Sequence, residues 1–143
     1  MEEKLPIFVY GTLMSGFGNY MRLLHGHYTT TQKGCIHGFE MVSLGGFPMI
    51  LNSELTDKVV CGELFWINQE EYDQVLHNLD RLEGHPSFYI RTKVPVIVGQ
   101  DVCNAYVYVG SKDYTERKDT FNKVADGDWR KYVETGQRNH TWC

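Results

Sequence analysis

A glutamate stands at the end of an amphipathic segment, in the stretch LDRLEGHPSFYIR that runs from Leu79 to Arg91. If the segment is helical, Glu83 lies in its last turn, where the helix dipole disfavours an anion by roughly 0.3–1 kcal/mol. Burial would raise the pKa of this carboxyl further, toward the range in which it transfers protons near neutral pH. The alternative is a surface glutamate paired with Arg81 or Arg91. Spacing alone favours that alternative, because surface carboxylates are far commoner than catalytic ones.

A second stretch, FVYGTLMSG at residues 8–16, ends an apolar run with Gly-Thr. Gly11 frees the backbone to turn, and successive exposed N–H groups in such a turn form a nest that binds a carboxylate or a developing oxyanion. On its own this pattern is weak evidence, since a strand that ends in Tyr-Gly-Thr is usually followed by an ordinary turn.

The segment that carries Glu83 is the clearest predicted helix, over residues 68–84. Asn68 is a favourable N-cap, Glu71 stands at the capping-box position, and Gly84 supplies the residue after the last turn. One apolar face is formed by Tyr72, Val75, Leu76, Leu79 and Leu82. This pattern places Glu83 at the carboxyl end of a helix that packs on a core.

The remaining apolar runs are short and are broken by Gly and Pro, which is typical of strands. The predicted strands are KLPIFVYG, KGCIHGFEMVSL, FPMILN, KVVCGELFWI, SFYIRTKVPVIV and CNAYVYVGS. GNYMRLLHGH predicts a short helix, and TERKDTFNKVADGDWRKYVETG a helix followed by a helical turn. We expect an α+β fold in a single domain over residues 1–143, with a small mixed β-barrel, because interior glycines suit tight barrel bends.

Composition excludes several classes of function. A net charge of -4 and a pI near 5.8 argue against a nucleic-acid surface. The acidic N-terminus does not resemble a secretory signal and no segment is long enough to span a bilayer, so a cytoplasmic protein without a membrane partner is expected. The four cysteines lack zinc or thioredoxin spacing, so no metal site is expected. Cys61 and Cys103 lie in apolar runs and are predicted to be buried, reduced thiols.

Several stretches occur in an order that is specific when they are taken together: IFVYGTLMSG, GGFPMI, VVCGELFWI, LDRLEGHPSFYIR, NAYVYV and GDWRKY. In this arrangement the chain resembles the gamma-glutamyl cyclotransferase-like family, in particular its gamma-glutamylamine cyclotransferase and antibiotic-maturation branches. The resemblance spans nearly the whole chain. Its strongest part is YGTL followed much later by LDRLEG and YIR.

The resemblance implies an enzyme that releases 5-oxoproline from a gamma-glutamyl amine or small gamma-glutamyl conjugate, without metal or organic cofactor. The substrate's α-amine attacks its own γ-carbonyl. Glu83 would be the general acid and base, and Tyr10, Gly11, Thr12 and Leu13 would form the loop that cradles the substrate. Tyr89 would contact the substrate or orient Glu83 through its hydroxyl, or would only pack as a strand aromatic.

Some residues depart from the family pattern or have open roles. Met14 and Ser15 stand where many relatives carry a basic residue, and HPSF is inserted between Glu83 and Tyr89. Both features bear on the leaving group. Trp129 and Arg130 would close over the substrate or pack internally, and Asp80 is expected to be solvated. The alternative function is a non-catalytic small-molecule-binding or regulatory module of the same fold.

Overall fold

The computed structural model describes residues 4–53 and 57–135. Its strands are β1 (Ile7–Val9), β2 (Tyr28–His37), β3 (Phe39–Ser43), β4 (Pro48–Asn52), β5 (Val59–Ile67), β6 (Tyr89–Val98), β7 (Asp101–Gly110) and β8 (Asn122–Val124). Its helices are α1 (Gly18–Leu23), α2 (Tyr72–Glu83), α3 (Lys112–Glu116) and α4 (Trp129–Glu134), and 3₁₀ turns cover Gln69–Glu71 and Lys118–Thr120.

Five of the strands close into a barrel in the order β1–β5–β2–β6–β7. The closing contact is the parallel pair of β1 and β7, whereas the other neighbours pair antiparallel. A short β1 is sufficient for closure because all three of its residues are buried and it bonds to a strand on each side. The predicted α+β fold with a small mixed barrel and a few flanking helices is confirmed.

Two glycines that face each other across β2 and β5 allow the barrel to curve tightly. Gly34 is the register partner of Gly62. A Cβ at Gly34 would lie 2.8 Å from Cγ1 of Val96, and a Cβ at Gly62 would overlap the carbonyl oxygen of Val9. Because both positions lack a side chain, β6 can approach β2 closely at Gly34 and β1 can approach β5 closely at Gly62.

The other three strands form a separate sheet in the order β4–β3–β8. In β4, the residues from Pro48 to Leu51 are buried. Gly110, the last residue of β7, leaves room for the side chains of Met49 and Leu51. This contact fixes β4 beside the end of the barrel that carries the candidate site.

The predicted helix over residues 68–84 forms with two differences. Its first turn is 3₁₀, and the Asn68 side chain donates to the Glu71 carboxylate (2.6 Å) instead of capping a backbone N–H. At its other end Gly84 adopts the left-handed conformation (φ 66°), as the sequence predicts. Of the apolar face, Tyr72, Val75, Leu76 and Leu79 are buried, and Leu82 is partly buried against the core.

The predicted tail helix is wrong in part. Residues 122–124 form β8, which pairs with β3, because Val124 is buried opposite Met41. The expected helical turn is α4, whose N-cap Asp128 accepts from the N–H of Lys131 (3.1 Å). The tail prediction extended to residue 136, which lies outside the described residues.

The cysteine prediction is also corrected. Cys61 and Cys103 are free, as predicted, but both are only partly buried. Cys61 lies between the buried residues Val60 and Gly62, so its side chain is on the outward face of β5. Cys103 lies near the start of β7, where both of its neighbours are exposed. Within the described residues no helix is long and apolar enough to cross a membrane.

The close approach at Gly62 predicts a large effect from one methyl group. Gly62→Ala should lower the free energy of unfolding by roughly 1–3 kcal/mol, because the new Cβ cannot move away from the Val9 carbonyl. Gly18→Ala is the matched control, since nothing lies within 4 Å of a Cβ at that position. Urea unfolding of both variants checks this, and equal stabilities would contradict the account of barrel closure.

Candidate functional site

A cavity of about 400 Å³ lies where the end of β1, the end of α2 and the turn between β3 and β4 meet. The structure brings all six residues of the predicted site to its wall: Tyr10, Gly11, Thr12, Leu13, Glu83 and Tyr89. The two sequence stretches that carry them are about seventy residues apart in the chain. Their roles in binding and catalysis remain predictions.

Glu83 owes its position to the way α2 ends. Leu79, one turn earlier, is fully buried and fixes the rotation of the helix. The left-handed Gly84 then reverses the chain, and the N–H of His85 donates to the carbonyl of Asp80 (3.0 Å). Glu83 is the last residue before this reversal, so its side chain is presented to the cavity.

Among residues 4–53 and 57–135, the Glu83 carboxyl has no counter-ion. None of the described residues donates a hydrogen bond to it or forms an ion pair with it, so desolvation dominates and raises its pKa to about 7. The ion pair that would have made it an ordinary surface residue does not form, since Arg91 binds Asp80 and Arg81 is exposed. A carboxyl in this state exchanges a proton readily at neutral pH.

Asp80 was expected to be solvated, and this expectation is wrong. Its Oδ1 accepts a hydrogen bond from the Tyr108 hydroxyl (2.6 Å), and its Oδ2 binds the Arg91 guanidinium. The Arg91 guanidinium also lies 5.2 Å from the centre of the Tyr106 ring. Burial raises the pKa of Tyr108 and the hydrogen bond to Asp80 raises it further, so this hydroxyl keeps its proton and anchors α2 to the barrel.

The turn at residues 10–13 exposes backbone donors. The N–H of Met14 donates to the carbonyl of Gly11 (2.9 Å), and the N–H of Tyr20 donates to the carbonyl of Thr12 (3.2 Å). In the described parts of the chain, the N–H groups of residues 11, 12 and 13 have no acceptor. Gly11 is required here because a Cβ would lie 2.7 Å from Cγ of Pro48. The turn therefore offers donors to a bound group, as the sequence predicts for a nest.

Asn19 contributes a side-chain amide beside this turn. Its Nδ2 donates to Oγ1 of Thr12 (2.7 Å), and its Oδ1 accepts from Arg22 (2.7 Å). Asn19 lines the cavity, and the sequence analysis missed it. A weak signal was present, since the residue lies in the short predicted helix that directly follows the glycine-rich turn.

A second missed group holds the far end of the same turn. Oε1 of Glu63 accepts from the Ser15 N–H (2.7 Å), and Oε2 accepts from the Ser15 hydroxyl (2.9 Å). Arg130 donates to the Ser15 carbonyl (2.6 Å) and lies 3.6 Å from Glu63. A carboxylate inside the apolar run VVCGELFWI was the available sequence signal, because such a group needs a polar partner.

The tyrosine hydroxyls at the site are used for structure. Tyr10 donates to the carbonyl of Tyr108 (2.6 Å), and Tyr89 donates to the carbonyl of Pro48 (2.7 Å). Burial raises the pKa of both, with a smaller contribution from the charge of Glu83. Since the Tyr89 hydroxyl proton is directed at Pro48, the ring is the part of Tyr89 that the cavity offers to a ligand.

Trp129 and Arg130 do not close over the cavity. Trp129 is buried and stacks on Tyr132, with ring centroids 5.2 Å apart. Arg130 packs on the Phe17 ring (5.1 Å) and holds Ser15. Neither residue lines the cavity. Across residues 4–53 and 57–135, no group of three or more His, Cys, Asp or Glu side chains is arranged to hold a metal ion.

Comparison with known proteins identifies the family. Residues 7–131 match the sequence profile described as gamma-glutamyl cyclotransferase, AIG2-like. The chain belongs to this family. A gamma-glutamylaminecyclotransferase of Rattus norvegicus is 37% identical over 98 residues, a match that covers 64% of this chain and 63% of the rat protein. The Bos taurus gamma-glutamylaminecyclotransferase is 34% identical over 97 residues, covering 64% of this chain and 55% of that protein.

Both matches thus span less than two thirds of the relative's own length. Among solved structures, the crystal structure of an AIG2-like protein from Mus musculus superposes with a TM-score of 0.66. It is 29% identical, and the match covers 85% of this chain and 86% of the mouse chain. The barrel described above is therefore the fold of this family.

The unpaired carboxyl predicts a pH-dependent cost to stability. Its pKa in the folded protein, about 7, lies above the ordinary value of 4.5, so folding becomes less favourable as pH rises through this interval. Glu83→Gln removes the charge and should be more stable than the natural protein by roughly 1–3 kcal/mol at pH 8. Below pH 4.5 the carboxyl is protonated in both the folded and the unfolded protein. The difference in stability between Glu83→Gln and the natural protein should therefore vanish there.

Glu70→Gln is the control, because Glu70 is exposed and lies in the turn that precedes α2. Denaturant unfolding of the three proteins at pH 4 and pH 8 checks the prediction. A Glu83→Gln variant that is destabilised at pH 8 would show that the carboxylate has a favourable partner.

Proposed function

We propose that the protein is a gamma-glutamyl cyclotransferase that releases 5-oxoproline from gamma-glutamyl amines or small gamma-glutamyl conjugates. One observation carries the proposal: a partly buried glutamate that has no counter-ion among the described residues shares a cavity with N–H groups of a glycine turn that have no acceptor there. The first group suits proton transfer and the second suits binding of an anionic oxygen. The membership of the family supports the same reaction class.

The charges at the cavity suggest how the substrate is held. Within the described residues no lysine or arginine lines the cavity, so a substrate carboxylate finds no cationic side chain there. Backbone N–H groups of residues 11–13 and the amide of Asn19 are the available donors. The α-ammonium group of the substrate would face Glu83, which is the negative group in the wall.

The reaction then needs a proton acceptor and a stabilised oxyanion. Glu83 takes one proton from the α-ammonium, and the resulting amine attacks the γ-carbonyl to form the ring C–N bond. The N–H groups of the turn stabilise the oxygen of the tetrahedral intermediate. Glu83 gives its proton to the leaving nitrogen as the old C–N bond breaks. The ring nitrogen releases a second proton to water, and the free amine takes one up.

This proposed route needs no metal or redox group, because nucleophile and electrophile belong to one substrate. The main task of the protein is to bend the substrate so that the amine lies against the carbonyl. A cavity walled by β1, the end of α2 and the start of β4 would impose this shape. The hydrogen bonds from Tyr10 and Tyr89 to the backbone keep these walls together.

Replacement of the base tests the proposal. Glu83→Gln should lower kcat/KM for 5-oxoproline release by roughly 10²–10⁴-fold, because an amide cannot accept the ammonium proton. Glu70→Gln should match the natural protein. The measurement is 5-oxoproline formed from a panel of gamma-glutamyl amines and dipeptides. Equal turnover by Glu83→Gln would remove this residue from the mechanism, and no turnover by the natural protein would favour a binding module.

The pKa of the base also predicts the pH dependence of activity. Glu83 must be ionised before it accepts a proton, so kcat/KM should rise with pH through an apparent pKa of about 7. If the base were an ordinary surface glutamate, kcat/KM would instead rise near pH 4.5. Initial rates between pH 5 and pH 9 check this on the best substrate of the panel. A profile that is flat between pH 6 and pH 8 would contradict the assignment.

A further inference from the structure

The cavity has an aromatic portion that the proposed chemistry does not use. Phe47 and Phe88 both line it, and their ring centroids are 6.2 Å apart. Leu82, the residue before Glu83, adds an aliphatic surface to the same cavity. We call these three side chains the apolar wall. Phe47 is 36% exposed, so this portion of the cavity is open to solvent at one edge.

Local backbone geometry places the apolar wall next to the base. After Gly84, the N–H groups of Ser87 and Phe88 both donate to the Gly84 carbonyl (2.8 and 2.9 Å). This tight turn brings Cβ of Phe88 to within 3.1 Å of where a Cβ on Gly84 would lie. Phe88 is therefore held beside the end of α2, and it lines the same cavity as Glu83.

The apolar wall is also supported from behind. Phe88 makes edge-to-face contacts with Tyr89 (4.9 Å) and Tyr114 (5.0 Å). The Arg117 guanidinium lies 4.8 Å from the centre of the Tyr114 ring. Among the described residues Glu83 is the charged side chain that lines the cavity.

These features divide the cavity by chemistry. The donors of residues 11–13 and Asn19 suit the carboxylate of a gamma-glutamyl unit, and Glu83 suits its ammonium group. The apolar wall, by contrast, offers no acceptor for a cation. A second ammonium on the leaving group would lose hydration there without gaining a carboxylate partner. A ring or branched hydrocarbon would instead bury surface against Phe47 and Phe88.

We propose that the apolar wall is the leaving-group subsite and that it selects gamma-glutamyl amides of uncharged, aromatic or bulky apolar amines over those of diamines. The inference rests on the proposed function, since it assigns the second half of the same substrate. Phe47 is the specificity-determining residue, because it closes the wall from a turn that belongs to neither the barrel nor α2. Neither Glu83 nor the 10–13 turn would contribute to this preference between leaving groups.

The test compares two amides of similar length, gamma-glutamyl benzylamine and gamma-glutamyl 1,4-diaminobutane. The natural protein should show a kcat/KM for 5-oxoproline release at least about tenfold higher on the benzylamine compound. Phe47→Ala should lower that value about tenfold and leave the diamine compound within about twofold. Phe47→Glu, which adds a carboxylate at the open edge, should reverse the preference.

Val102→Ala is the matched control, because Val102 is 67% exposed and does not line the cavity, and it should leave both values unchanged. Circular dichroism confirms that each variant is folded. A natural protein that turns over the diamine compound as fast as the benzylamine compound would overturn the inference while leaving the proposed function intact.

Calorimetric binding of both compounds to Glu83→Gln separates the two proposals. If the natural protein releases no 5-oxoproline but Glu83→Gln binds the benzylamine compound about tenfold more tightly, the proposed function fails and the apolar subsite stands. If neither compound binds and neither is turned over, both proposals are overturned.

Discussion

A carboxyl group without a counter-ion is the constraint around which the site is arranged. Two carboxyl groups lie three residues apart on α2, and they differ in their partners. Asp80 forms an ion pair with Arg91 and accepts a hydrogen bond from the hydroxyl of Tyr108. Glu83 faces the cavity and has no partner among the described residues. The guanidinium pairs with Asp80, and burial raises the pKa of Glu83. The structure thus uses Asp80 as an anchor between α2 and the barrel and leaves Glu83 near its midpoint at neutral pH.

The walls of the cavity are joined by hydrogen bonds from aromatic side chains to the backbone. Tyr10 links the end of β1 to β7, and Tyr89 links the start of β6 to the start of β4. Pro48, whose carbonyl accepts from Tyr89, also packs against Gly11 at the turn that exposes its N–H groups. Glu63 holds the other end of that turn through Ser15. The exposed N–H groups and the cavity wall are therefore held in place by residues that belong to different strands, which is how a rigid barrel preorganises a site.

The sequence was most informative where a pattern was local. The helical periodicity and Gly84 located the end of α2 within the chain, and with it Glu83. Contacts between distant segments could not be anticipated in the same way. Arg130 reaches Ser15 across 115 positions, and β8 was mistaken for part of a helix because its pairing with β3 decides its conformation. Asn68 was correctly placed before the helix, but the carboxylate of Glu71 attracted its side chain away from the backbone.

The turn between β3 and β4 has a consequence for how proteins of this architecture diverge. Gly45 adopts φ 109°, and neither Gly45 nor Gly46 would bring a Cβ within 4 Å of another residue, so the turn is loosely surrounded. It contributes Phe47 to the cavity but no hydrogen bond to the barrel ladders. Insertions or substitutions there meet little resistance from packing. Proteins with this barrel can therefore diverge in the surface that Phe47 contributes to the cavity, while Glu83 and the N–H groups of residues 11–13 stay in place.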